Sequence, residues 1–271
     1  MEPIALVGRK AWRDGRFVEG ARAIPEEVAV AFTYNASSYA VMMATPQDLE
    51  DFAIGFSLTE GIVASADGIE SVEIVSEPVG IELRMRLREP FATAFQERRR
   101  FLAGPTGCGL CGIESLAEAM RPLPRIEDDA RFAPTDIEAA LRAMPGLQVL
   151  NRETRAVHAA AFYRNGAIVA LREDVGRHNA LDKLVGTMAA RGLTGRGGIG
   201  LLTSRLSVEL VQKAAVARIP VLAAVSAPTA LAVRTAEAAD ITLVGVARSD
   251  GFELFTHGQR ITEGQSVHVS A

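Results

Sequence analysis

Gly198-Ile199-Gly200-Leu201-Leu202-Thr203, Pro220-Val221-Leu222-Ala223-Ala224-Val225 and Ile241-Thr242-Leu243-Val244-Gly245-Val246 decide the fold class. Each is a short, nearly continuous apolar run, the pattern of a strand covered on both faces. The segments between them, about Val208 to Arg218 and Thr229 to Ala239, read as helices, and another helix precedes them over about His178 to Arg191. Strands alternating with helices in this way predict an α/β layer with buried, mostly parallel strands. Just upstream, Val157 to Tyr163 and Ala167 to Glu173 flank Asn165-Gly166, a strong hairpin signal.

The chain before this unit reads differently. Val28 to Tyr34 and Tyr39 to Ala44 are apolar runs joined by Asn35-Ala36-Ser37-Ser38, a second hairpin-like connection. Thr45-Pro46-Gln47-Asp48 reads as a helix start, with Thr45 as the N-cap and Pro46 in the first turn. Leu49, Phe52, Ala53 and Phe56 follow at helical spacing as core residues, and Gly61 fits the stop. Ile81, Leu83, Met85 and Leu87 alternate with Glu82, Arg84, Arg86 and Arg88, a half-buried strand with one solvated charged face. Prolines and acids cluster from Arg121 to Pro145 around a short helix, with Thr135 and Glu138 as a capping box. This places a subdomain junction there: a β-rich N-terminal subdomain over 1–125 and an α/β subdomain over 126–271.

Composition narrows the function classes. At 271 residues with 48% hydrophobic content, the chain can bury one large core or two modest ones and reads as soluble and globular. A net charge of −4 argues against broad nucleic-acid binding. No basic region followed by a long apolar core opens the chain, so no secretory signal is expected. The uncharged stretch from Ile219 to Val233 is too short to span a bilayer and contains Pro220 and Pro228, so no membrane association is expected. Two thiols without a disulfide framework suit the reducing cytoplasm.

In open α/β sheets, ligands gather where strand carboxyl ends meet helix starts. Small polar residues and arginines mark such positions at Thr203-Ser204-Arg205, Ser226-Ala227-Pro228-Thr229 and Ala247-Arg248-Ser249-Asp250-Gly251. Free backbone N–H groups beside hydroxyls and arginines suit phosphate or pyrophosphate. Taken singly, each junction reads first as plain helix capping; the three together point to an anionic, nucleotide-like ligand. No G-x-x-x-x-G-K-[ST] loop is present, and neither G-x-G-x-x-G match, Gly107 to Gly112 or Gly195 to Gly200, directly follows a predicted strand, so no standard P-loop or dinucleotide fold is expected. The densest polar cluster runs from Glu173 to Lys183 and includes Asp174, Arg177, His178, Asn179 and Asp182. It reads either as ion pairs bracing a turn or as a wall of the site, with His178 and Lys183 facing an anion. His158, inside an apolar run, is either a core histidine or a pocket residue.

Both cysteines of the chain lie in one loop, Thr106-Gly107-Cys108-Gly109-Leu110-Cys111-Gly112. A disulfide between them would close a tiny loop and stabilise little. A structural turn packs poorly among glycines, and a zinc site would need further ligands from His158, His178, His257 or His268 or from a second subunit. Reactive sulfur fits better: Arg98, Arg99 and Arg100 lie upstream, and Ile113 to Met120 reads as a short helix starting just after the loop. Zinc deaminases need H-x-E followed by P-C-x-x-C. Here the order is reversed, and Ala160 stands where the glutamate would follow His158. A thioredoxin-like arrangement fits poorly as well, because Ala103-Gly104-Pro105-Thr106-Gly107 intervenes between the upstream element and the thiols.

Taken together, Ser204 to Ala214, Ser226-Ala227-Pro228-Thr229, Glu173 to Lys183, Thr45 to Glu60 and Cys108-Gly109-Leu110-Cys111-Gly112 resemble the FdhD/NarQ family, the formate dehydrogenase accessory sulfur carriers. The resemblance runs from about Pro25 to Ile261, with one departure, where Arg155 and Ala156 replace expected glycines. It implies a cytidine-deaminase-like layered core, a homodimer, and cysteine desulfurase and formate dehydrogenase as partners. It also implies a site for bis-molybdopterin guanine dinucleotide, with GDP as its mimic, at Val246, Ala247, Arg248, Ser249, Asp250 and Gly251. Ser204, Arg205, Ser226, Thr229 and His178 join that site from the strand-end reading. By the same resemblance Cys108 carries a persulfide and Cys111 assists or resolves it, while no metal ligands are expected. A cofactor-binding chaperone without sulfur transfer and a thiol–disulfide oxidoreductase are the alternatives.

Overall fold

The computed structural model describes residues 1–102, 123–248 and 251–263. The C-x-x-C loop with Cys108 and Cys111, the helix expected from Ile113, and Ser249, Asp250 and His268 lie outside the described residues. The protein is mixed α/β, with β-sheets in its N-terminal part and a six-stranded mixed sheet with helices in its C-terminal part.

Strands β1 (Ile4–Arg13) and β2 (Arg16–Pro25) form a separate two-stranded ribbon. Next come β3 (Val28–Tyr34), β4 (Ser37–Ala44), helix α1 (Leu49–Thr59), β5 (Ile69–Glu77), β6 (Gly80–Leu87) and α2 (Phe91–Leu102). The sheet order is β4-β3-β6-β5. Asn35 and Ala36 turn the β3–β4 hairpin, both at positive φ as a type I′ turn requires. Ile81, Leu83, Met85 and Leu87 are buried while Arg84 and Arg86 pair with Glu82 and Glu70 in solvent, so the alternation expected for β6 holds. Phe52 and Phe56 of α1 close this core, with Phe56 stacked on Phe32 at 4.0 Å between ring centroids. Gly61 ends the helix at φ 69.

The second unit comprises α3 (Pro134–Leu147), α4 (Val149–Thr154), β7 (His158–Arg164), β8 (Ala167–Asp174), α5 (Arg177–Ala190), β9 (Ile199–Leu202), α6 (Val208–Val216), β10 (Val221–Ala224), α7 (Ala230–Ala239), β11 (Thr242–Arg248) and β12 (Gly251–Thr256). The sheet order is β12-β11-β10-β9-β7-β8. Strands β9, β10 and β11 are parallel, whereas β7 and β12 run antiparallel to their neighbours, so the sheet is mixed rather than mostly parallel. Helices α5, α6 and α7 bury Leu181, Leu184, Leu210, Val211 and Ala236 on one face, against Phe162, Leu202 and Leu222. Helix α3 covers the other face with Ile137, Ala140 and Met144 against Ala161, Leu201 and Val221. Covering both faces explains why the parallel strands lack polar alternation.

Three local expectations change. Helix α1 begins at Leu49, not Pro46, because Asp48 adopts a left-handed conformation at φ 54. The Thr45 hydroxyl instead accepts from the Val175 N–H at 3.2 Å, a contact to the second unit. Helix α3 starts with the Asp136 carboxylate accepting from the Ala133 N–H at 2.9 Å, and Glu138 pairs with Arg142 rather than boxing with Thr135. The junction after β11 leads into the antiparallel strand β12, so it offers no helix N-terminus.

The two units meet along α1 and α5. A Cβ on Gly55 would lie 1.7 Å from the Asp182 carbonyl oxygen, and one on Gly186 would lie 1.8 Å from that of Asp51. Only glycine permits this approach. Helix α5 is therefore covered on both sides, and residues 179–188 are all buried. Its polar residues face α1 in charge-paired sets. Lys183 Nζ donates to Asp174 Oδ2 at 2.6 Å and to the Thr45 carbonyl at 2.9 Å. Lys213 Nζ bridges Asp182 at 2.9 Å and Glu60 at 3.2 Å. Arg172 and Thr187 both donate to Asp51 Oδ2, at 2.7 and 2.6 Å. Buried charges of this kind persist because each is paired and hydrogen-bonded.

Candidate functional site: the carboxyl edge of the six-stranded sheet

Strands β8, β9, β10 and β11 all end at one edge of the sheet, and antiparallel β7 begins there, with His158 opposite Asp174. The loops along this edge are tied to one another. The Thr229 N–H donates to the Leu206 carbonyl at 2.9 Å, and the Val246 N–H donates to the Ser226 carbonyl at 3.2 Å. A rigid shelf results, made of strand ends and short loops.

The expected residues divide on this shelf. His178, Ser204, Arg205, Ser226, Val246, Ala247, Arg248 and Gly251 all lie along it. Arg205 and Arg248 are exposed. Ser204 is buried, its hydroxyl donating to the Arg205 carbonyl at 3.0 Å. Thr229 is a helix cap: its hydroxyl accepts from the Ala232 N–H at 3.2 Å. The capping interpretation of that junction therefore wins for this side chain. Thr203 is likewise engaged, accepting from the Ala159 N–H at 2.8 Å.

Val246 sits at φ 52, in a stretch where the β11–β12 register breaks between Gly245 and Arg248. A β-branched residue in the left-handed region is a true outlier, and such strain collects at functional sites. The strand bulges out at the segment the resemblance assigns to ligand binding. A Cβ on Gly245 would lie 2.9 Å from Pro228 Cδ, so the bulge also packs tightly on the neighbouring loop.

The Glu173 to Lys183 cluster splits in two. Lys183 and Asp174 are fully buried and face α1, so Lys183 does not line the edge. Both Asp174 oxygens are engaged: Oδ1 by the Gly176 N–H and Asn179 Nδ2, Oδ2 by the Thr45 N–H and Lys183. The Glu173 carboxylate accepts from the Leu150 and Asn151 N–H groups, both at 2.8 Å, and so holds the start of α4. That fixes the approach to His158 through Arg155, which stands at φ 55 where a glycine is expected.

Arg177 and His178 open α5 at the edge, where the Arg177 charge acts on both His158 and His178. His178 Nε2 lies 3.5 Å from the Ser207 hydroxyl and 3.9 Å from Glu209. Burial, then the Arg177 and Lys213 charges, depress its pKa to about 4. Burial and the Arg177 charge also lower that of His158. Both imidazoles are therefore neutral at neutral pH. The sequence places Arg177 in the polar cluster read as a possible site wall without giving it a role of its own; its position at a strand–helix junction was the available signal. Among the described residues no three histidine, cysteine, aspartate or glutamate side chains group as a metal site, and His257 stands at the opposite edge against Asp240.

These features define a mixed α/β protein with arginines along the carboxyl edge of its six-stranded sheet. The chain belongs to the FdhD/NarQ family, whose profile matches residues 25–262. It is 53% identical over 258 residues to the sulfur carrier protein FdhD of Agrobacterium fabrum, covering 94% of this chain and 95% of that one. It is 48% identical to the corresponding protein of Cupriavidus necator, covering 94% and 89% of the two chains. The crystal structure of a Desulfotalea psychrophila protein, described as a formate dehydrogenase accessory protein, superposes with a TM-score of 0.77 over 96% of this chain and 99% of that one. At 23% identity this last likeness speaks to the fold. No helix among the described residues is long and apolar enough to cross a membrane.

Proposed function

We propose that this protein is a cytoplasmic sulfur carrier for formate dehydrogenase maturation. In this role it takes persulfide sulfur from a cysteine desulfurase on Cys108 and delivers it to bis-molybdopterin guanine dinucleotide. The observation that carries the reading is the 53% identity to a sulfur carrier protein across 94% of the chain, in a protein whose entire thiol content is one C-x-x-C loop. The shelf supports it: Arg155, Arg205 and Arg248 stand exposed along one edge of a chain with net charge −4, beside the strained Val246. Arginines at strand ends suit the phosphates of a guanine nucleotide.

The loading step is thiol exchange. The Cys108 thiolate attacks the outer sulfur of the donor persulfide, the donor S–S bond breaks, and the donor cysteine leaves as a thiolate while a new S–S bond forms on Cys108. The loop then presents that sulfur to cargo whose guanine nucleotide end rests at Val246 to Gly251. Cys111 serves as an assisting or resolving thiol. With this function we also propose the division of the chain near residue 125, a cytidine-deaminase-like relationship for the layered sheet, and assembly as a homodimer.

The test is complementation with Cys108→Ala in cells lacking the endogenous carrier. Formate dehydrogenase activity should be lost while the purified variant keeps its circular dichroism spectrum and melting temperature. Normal activity with Cys108→Ala would overturn the persulfide role and leave a binding chaperone as the better reading.

A further inference from the structure

Arg177 belongs to the Glu173 to Lys183 cluster but takes part in none of its buried ion pairs. It opens α5 at the carboxyl edge of β8. Its Nε is buried, and among the described residues it has no hydrogen-bond partner. A buried donor without an acceptor is destabilising, so its retention calls for a reason.

The neighbouring acids do not supply one. Both oxygens of Asp174 are committed to Lys183 and to N–H donors on its far side. Asp182 and Glu60 are matched by Lys213. Glu209, 3.9 Å from His178 Nε2, feels the Arg177 charge, but its carboxylate accepts from the Ser207 hydroxyl and forms no ion pair with the guanidinium among the described residues. Two imidazoles lie near enough to feel its charge, His158 at the start of β7 and His178 on α5, and burial followed by the Arg177 charge lowers the pKa of both. A neutral imidazole can donate one N–H without adding charge. A guanidinium fork with neutral imidazole donors nearby suits a phosphoryl oxyanion.

We infer that Arg177, flanked by His158 and His178, binds a phosphoryl oxyanion at the β7–β8 end of the shelf, as a second anion subsite distinct from Val246–Gly251. The inference rests on the ligand reading proposed above and adds a second point of attachment to it. From β11 to β7 is three strand spacings, about 14 Å. That span is long enough for one extended dinucleotide to reach both points, with its guanine end at β11 and a phosphoryl group at Arg177. Arg155, exposed at the entry to β7, adds positive charge at the same end.

The experiment is calorimetric titration of the full chain with inorganic pyrophosphate, GDP and guanosine, using wild type, Arg177→Gln, Arg177→Lys and Arg248→Ala. Loss of a charged hydrogen-bond donor should weaken pyrophosphate binding about tenfold or more in Arg177→Gln. Arg177→Lys, which keeps the charge, should recover part of that loss, and guanosine binding should not change. Arg248→Ala should instead weaken GDP more than pyrophosphate. Failure of wild type to bind pyrophosphate, or equal affinity in Arg177→Gln with an unchanged melting temperature, would overturn the subsite. A lower melting temperature in Arg177→Gln with unchanged pyrophosphate affinity would also overturn it, by showing a purely structural role. Persulfide loading of Cys108 is read separately by mass, so rejecting the subsite leaves the sulfur-carrier reading standing, and the reverse also holds.

Discussion

Removing either partner of the Asp174–Lys183 pair should unfasten the two units, and the two removals should not cost the same. Both side chains are fully buried, and Lys183 Nζ lies 2.6 Å from Asp174 Oδ2. Breaking a buried pair by deleting one partner costs about 3–5 kcal/mol. In Lys183→Met the Asp174 carboxylate keeps three donors, the N–H groups of Thr45 and Gly176 and the Asn179 amide, which places this variant near the lower figure. Asp174→Ala strips those three donors of their acceptor and leaves the ammonium with only the Thr45 carbonyl, which places it at or beyond the upper one. Burial already pushes the Lys183 pKa down despite the carboxylate, so without Asp174 the amine would shed its proton and Asp174→Ala would become more pH-dependent than wild type. Urea unfolding followed by far-UV circular dichroism reads the difference. With m near about 3 kcal/mol per molar, the midpoint should fall by about 1 M for Lys183→Met and by more for Asp174→Ala. Because Lys183 does not line the proposed ligand edge, GDP affinity below the transition should match wild type. A cost under about 1 kcal/mol for Lys183→Met, or the reverse ordering of the two variants, would refute the role of this pair as an inter-unit fastener.

Two further perturbations probe the same architecture. Gly55→Ala should destabilise by about 3 kcal/mol or more, because its Cβ would meet the Asp182 backbone rather than a movable side chain; a melting temperature within a degree or so of wild type would show that α1 and α5 are not locked at this crossing. His178 has a folded pKa near 4, depressed mainly by burial, against about 6.5 in the unfolded chain. The unfolded state therefore takes up the proton first, so stability is full above pH 6.5 and falls as pH drops toward 4, by at most about 3 kcal/mol from this group. His178→Gln should flatten that part of the stability–pH curve, and parallel curves for the two proteins would contradict the buried neutral imidazole.

Much of the fold follows from patterns that one segment sets by itself. Asn165-Gly166 adopts the positive φ angles of a tight turn, and β7 and β8 lie where its flanking runs predict. The alternating apolar runs of β9, β10 and β11 report burial on both faces, so their helices were legible too. What was not legible depends on partners distant in sequence. Thr45 looks like a helix cap, but its hydroxyl and carbonyl are taken by Val175 and Lys183, about 130 residues away. The polar face of α5 looks like a site wall because no local pattern announces that α1 will cover it. Strand β12, carrying Phe252, Leu254 and Phe255, is an edge strand whose place is set by pairing with β11 rather than by its own periodicity.

The candidate site was legible as a set of junctions but not as a division of labour. Ser204, Arg205, Ser226 and Arg248 lie on one edge because parallel strands put their carboxyl ends together, a rule that needs no side-chain detail. Separating Thr229, a cap, from those residues required its hydrogen bond to Ala232. Separating Lys183 from Arg177 required knowing which way each side of α5 faces, since both belong to the same short polar run.

Intact-protein mass spectrometry after incubation with a cysteine desulfurase and cysteine tests the sulfur-carrier proposal most directly. The proposal predicts one added sulfur atom, removable by reductant and absent in Cys108→Ala. Loss of two hydrogens without added sulfur would contradict it in favour of a thiol–disulfide oxidoreductase, and an unchanged mass would contradict it in favour of a binding chaperone.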